Sequence, residues 1–167
     1  MISFKYTLKR AFVKTEPVEV EMIAFITRLI HDLIYLHPIH TLIVHFPIAL
    51  VSSALFFLLL AIWKKSDLLE QIAFADIALA SVSTVVAGIA GIRDNAMFYH
   101  NLAPNHTVKI ILASVLLLVT GATAIWRWRN PKLFHSPSRW LYISAYVLSF
   151  LLVTVLGFLG GVIVYGF

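Results

Sequence analysis

Three histidines and two prolines gather at the mouth of an apolar run. They lie in His37-Pro38-Ile39-His40 and His45-Phe46-Pro47, and the run continues from Phe46 to Trp63. Imidazole nitrogens ligate haem iron or a Zn or Cu ion, and at membrane depth they are costly unless something uses them. Further polar groups stand at corresponding ends of later apolar stretches: Arg93 and Asp94, His100, His106, and Tyr165 beside Gly160-Gly161. Two histidines on different helices at one depth are what axial ligation of a b-type haem requires. A glycine pair on a third helix lets a flat macrocycle approach the backbone. A carboxylate such as Asp94, or a backbone carbonyl, then fixes the tautomer of a ligating ring.

Depth follows from counting residues at the helical rise. Measured from Trp63, His45 lies about 27 Å along its helix. His106 lies about 30 Å from Trp126, and Gly160 about 30 Å from Trp140. His45, His106 and the glycine pair are therefore nearly level, with His40 roughly 7 Å further out. His40 and His45 sit about 140° apart on an ideal helix and share no face. Pro47 lacks the N–H that would bond the Ile43 carbonyl and can kink the helix there. The haem reading takes His45 and His106 as axial ligands, His40 as substitute, and Gly160, Gly161 and Asp94 as the surroundings. The competing site is a Zn or Cu ion held by His40, His45, His106 and Asp94. Taken singly, each histidine is more readily a helix cap or a hydrated headgroup-level residue. His45 and His106 taken together weigh toward function.

The elements that would position these groups come from composition. The chain has 167 residues, 60% hydrophobic and 13% charged, with a mean hydropathy of +0.91. A soluble domain carries roughly twice that charged fraction. The class is an all-α integral membrane protein, since no alternating barrel strands occur. Zero cysteines exclude disulfides, thiolate metal sites and Cys-ligated iron–sulfur clusters. A net charge of +5 sets topology rather than binding nucleic acid. No nucleophile–base pairing, phosphate-cradling glycine loop or paired carboxylate points to a hydrolase or NTPase.

Four spans are expected, at about 39–63, 68–93, 106–126 and 140–165, with short connections: an antiparallel four-helix transmembrane bundle. His37 and Pro38 suit the start of the first, and Asn105 is the expected N-cap of the third. Residues 1–36 form a separate extension. Its residues 1–16 are basic and aromatic, without a secretory core. From Pro17 to Leu36 an amphipathic pattern predicts an interfacial helix, in which His31 is simply solvated. Lys64, Lys65, Arg127, Arg129, Lys132 and Arg139 lie in the connections after spans one and three, where all four tryptophans also fall. The positive-inside rule puts those connections in the cytoplasm and both termini outside. Asp76, two turns inside span two, is expected to snorkel toward Lys64 or Lys65. Gly88, Gly91, Gly157 and Gly161 are expected to permit close helix crossing.

The stretch His37-Pro-Ile-His40 followed by Val44-His-Phe-Pro-Ile-Ala-Leu50 closely resembles the opening of the DUF2231 family of bacterial membrane proteins. Gly91-Ile-Arg-Asp94, His106 and the glycine-rich C-terminal stretch from Gly157 to Gly166 are looser matches, and the similarity covers about residues 37–167. The resemblance implies a four-helix bacterial inner-membrane protein. Some relatives carry Rieske iron–sulfur domains, which implies redox company and an electron partner on the periplasmic side. Three functions are carried forward. One is a haem-b electron-transfer protein, as an accessory subunit of a respiratory or photosynthetic complex. The second is a cofactor-free structural or assembly subunit that grips a partner subunit through residues 1–36. The third is a His-based metal-binding protein.

Overall fold

The computed structural model describes residues 18–35 and 37–165. Expectations that rest on residues 1–17, on Leu36 or on the last two positions lie outside the described residues. Two units separate within the chain, one up to His37 and one from Pro38 onward.

Among its described residues the first unit holds one helix, α1 (Val18–Tyr35), with Glu19 and Glu21 in its first turn, where they complement the helix dipole. Its apolar side chains recur at helical spacing at Ile23, Ile26, Leu29 and Ile30, as the pattern predicts. His31 reaches Asp32 at 3.4 Å.

The second unit is all helical among its described residues. It comprises α2 (Ile39–Ile43), α3 (His45–Lys64), α4 (Asp67–Phe98), α5 (His106–Arg129), a single 3-10 turn (Leu133–His135) and α6 (Arg139–Tyr165). Four stretches are long and apolar enough to cross a membrane: Ile39–Lys64, Asp67–Phe98, His106–Arg129 and Arg139–Val162. Each span packs on the next in sequence, and α6 closes the ring against α3. The chain is an antiparallel four-helix transmembrane bundle in which α3 and α5 stand diagonally, as do α4 and α6.

The interior is a stripe of small and β-branched residues. Pro47, Val51, Ala54, Leu58 and Ala61 line it from α3, while Ala73, Ile77, Ala80, Thr84, Ala87 and Ala90 line it from α4. Alanine at every second turn of α4 lets its neighbours approach closely, which is what drives association where lipid is as apolar as leucine. Of the glycines expected to permit close crossing, Gly91 does so beneath the His40 ring, whereas Gly88 and Gly157 do not. A Cβ on Gly88 would meet nothing within 4 Å, and one on Gly157 would touch only the Ile48 side chain at 3.6 Å. The interior hydroxyls of Thr84, Thr120, Thr123 and Ser149 each donate to the carbonyl four residues back, so none goes unsatisfied in lipid.

The first span is interrupted. Pro38 precedes α2 in extended conformation, Thr41 Oγ1 donates to its carbonyl at 2.7 Å, and Val44, between α2 and α3, keeps a helical backbone with its N–H on the His40 carbonyl at 2.9 Å. Pro47 offers no N–H to Ile43, and the next bond, Ile48 N–H to the Val44 carbonyl, is stretched to 3.5 Å. The second span runs on to Phe98, past the polar Arg93-Asp94-Asn95 that suggested its end, because Asp94 is paired rather than solvated. Asn105 is not the side-chain cap expected. It takes a left-handed conformation (φ 55°) and its side chain makes no capping bond. The 99–105 loop is instead fastened by Asn95, whose Oδ1 accepts the Ala103 N–H at 3.1 Å.

Candidate functional site

At the end of the bundle where α2 begins, His40 is clamped against α4. Its backbone N–H donates to Asp94 Oδ2 at 2.7 Å. That N–H belongs to the first turn of α2 and has no helical acceptor, so a carboxylate suits it both as acceptor and as dipole partner. Its ring Nδ1 lies 2.9 Å from the Ala87 carbonyl. A carbonyl only accepts, so Nδ1 carries the hydrogen and Nε2 of the neutral ring keeps its lone pair. Among the described residues Nε2 has no hydrogen-bond partner. The ring reaches Ala87 only because Gly91 lies beneath it: a Cβ there would stand 3.0 Å from Nδ1 and 3.1 Å from Cε1. Asp94 is buried and its other oxygen holds Arg93 Nη1 at 2.6 Å. Arg93 Nη2 is buried without a partner among the described residues.

The remaining candidate residues fall differently. His45 is exposed, because the interior stripe of α3 starts at Pro47 and His45 is about 160° from it. His45 and His106 are on diagonal helices, and no hydrogen bond or ring contact joins them among the described residues. His106 is half-buried, with Nδ1 3.2 Å from the Ala103 carbonyl and Nε2 3.2 Å from Thr107 Oγ1. Gly160 and Gly161 are half-buried, and a Cβ on Gly160 would meet open space. His37 and His100 are exposed. No three His, Asp or Glu side chains gather to hold a metal ion among the described residues, so His40, His45, His106 and Asp94 are not one ligand set.

A second polar site sits at the opposite end, and the sequence reading missed it. Arg127 Nε and Nη2 bond the two oxygens of Glu70, each at 2.7 Å, in a buried fork between α5 and α4. Tyr142 on α6 donates to Glu70 Oε1 at 2.9 Å. Its single hydrogen is thereby used, so the 2.7 Å contact with Tyr146 has Tyr146 as donor. The Phe74 ring lies 5.4 Å from the guanidinium carbon. Both Glu70 oxygens are bonded, and the set ties three helices together. Signals existed: a glutamate in the first turn of a span, an arginine in the last turn of the next, and two tyrosines four apart on one face. Asp76, further along α4, does not snorkel to Lys64 or Lys65. Its Oδ2 is buried without a hydrogen-bond partner among the described residues.

The family model described as "Predicted membrane protein (DUF2231)" matches residues 36–167. The chain belongs to the DUF2231 family. No curated protein and no solved structure matches it. The DUF2231 match covers the whole bundle and both polar sites, while α1 lies outside it.

Proposed function

We propose that this DUF2231 protein binds haem b near one face of the membrane and serves electron transfer. In that role it is an accessory subunit of a larger respiratory or photosynthetic complex in a bacterial inner membrane. The observation that carries this reading is His40. Its Nδ1–H is held by the Ala87 carbonyl at 2.9 Å and its backbone by Asp94 at 2.7 Å, leaving Nε2 as a lone-pair donor on a fixed ring. A ligating imidazole needs that arrangement of its other nitrogen. In this reading His40 would hold the group, and His106, on the helix flanking α4, would be the partner ligand after its Nε2 gives up the 3.2 Å contact with Thr107 Oγ1. His45, turned outward, becomes the substitute. Haem bound there would supply one-electron redox chemistry. The chain's own part is to orient the imidazole, to present it beside Gly91, and to place Asp94 and Arg93 next to it as a compensated charge pair. Its electron partner would meet the same face, outside the membrane on the periplasmic side.

The pyridine haemochrome assay on purified protein tests the assignment. His40→Ala is expected to lose the pigment and His45→Ala to keep it. Full haem content in His40→Ala sinks the ligand assignment.

A second reading, a cofactor-free structural or assembly subunit, is favoured by the exposed His45 and by the saturated Glu70–Arg127–Tyr142 lock. In it, residues 1–36 grip the partner subunit. Absence of pigment together with loss of the complex on removing those residues would select it.

A further inference from the structure

We propose that the cavity between the end of α3, the 3-10 turn and the start of α6 binds the phosphate of an anionic phospholipid, with Arg139 and Lys65 as its cations. The cavity measures about 310 Å³ and is lined by Ala61, Ile62, Lys65, Phe134, His135 and Arg139.

Arg139 carries the inference. Its Nε is buried and has no hydrogen-bond partner among the described residues. Buried donors in native proteins are normally paired, so an acceptor is called for. Its guanidinium carbon lies 5.3 Å from the Trp140 ring centroid and 5.9 Å from that of Phe134. Two aromatic neighbours restrain the planar group, and its fork geometry matches phosphate oxygens. Lys65 stands across the cavity in a left-handed turn (φ 52°), fixed where the Ser66 N–H bonds the Ala61 carbonyl at 3.1 Å. No carboxylate lines the cavity. Asp67, outside the lining, is hydrogen-bonded to His135 Nε2 at 2.7 Å. The lining itself therefore carries two cations, Lys65 and Arg139, and no acid.

The surroundings select a lipid over a free anion. Trp63 and Trp140 border the cavity in sequence and are 73% and 70% exposed, as tryptophans at headgroup level are. Ala61, Ile62 and Phe134 give the cavity an apolar wall against which a glycerol backbone can lie. The first span also exposes apolar side chains such as Leu59, three residues from Ile62, along which an acyl chain would continue. Basic pockets between spans at a membrane interface suit anionic headgroups in this way.

The experiment is native mass spectrometry of the full chain released from nanodiscs containing equal phosphatidylcholine and phosphatidylglycerol. The wild type is expected to retain phosphatidylglycerol in preference. Arg139→Gln and Lys65→Gln are each expected to lower that retention about fivefold. Arg129→Gln removes an exposed cation outside the cavity and is expected to change nothing. Lys65→Gln, on an exposed turn, keeps the test valid if Arg139→Gln does not fold. Equal retention of both lipids, or an equal loss in Arg129→Gln, overturns the proposal. So does protection of the wild type by inorganic phosphate alone to the same degree, which would assign the site to a free anion.

Discussion

The ring of His40 lies where a Cβ at position 91 would stand 3.0 Å away, while position 88, one turn earlier, faces open space. Both are mid-helix glycines, so alanine gains about 0.5–1 kcal/mol of backbone entropy at either. At 91 that gain is offset, because the ring is held at its backbone and at Nδ1 and retreats only by weakening a bond of about 1 kcal/mol. Gly88→Ala is therefore expected to stabilise the protein by about 0.5–1 kcal/mol, and Gly91→Ala to give no gain. Unfolding in one detergent compares them. Equal stabilisation would show that His40 is not pinned. This contact marks a limit of sequence reading. His37, His40 and Asp94 were recognisable as out of place in an apolar chain. That Asp94 meets a backbone N–H rather than a ring depends on His40 falling in the first turn of α2, where its N–H has no helical acceptor. Counting depth along straight helices carried no information on the face His45 presents, and that face is exposed.

Helix pairs at the other end hold each other through charge. Glu70 and Arg127 are joined by two bonds of 2.7 Å, and their side chains are only 2% and 11% exposed. Removing one partner strands the other in a low-dielectric site, so Glu70→Gln is expected to cost about 3–5 kcal/mol. The double variant Glu70→Gln/Arg127→Met should recover much of that, since an apolar replacement leaves no unpaired charge. The exposed Asp67–His135 pair is similar in length, at 2.7 Å, with side chains 67% and 61% exposed. Asp67→Asn is expected to cost under about 1 kcal/mol. Chemical denaturation in a mild detergent ranks the three variants, and equal costs at 67 and 70 would contradict the buried lock. The four spans themselves were legible, because hydropathy and helical length state them directly. The lock was not, because Arg127 reads as part of a basic connection until α5 is seen to continue to Arg129 and to turn that residue inward.

For the whole molecule, the basic connections and the tryptophans share one end of the bundle and His40 the other. With no cysteine anywhere in the sequence, single-cysteine variants report sidedness without background. An impermeant thiol reagent applied to sealed right-side-out vesicles is expected to label Leu102→Cys and to spare Ser138→Cys until the membrane is opened. The reverse pattern would invert the topology and put His40 on the cytoplasmic face. The central claim, that this end of the bundle holds a haem, is tested most directly by a reduced-minus-oxidised visible spectrum of the detergent-purified protein made with ample haem. Sharp α and Soret bands that vanish in His40→Ala are the predicted result. A featureless difference spectrum of the wild type would contradict it.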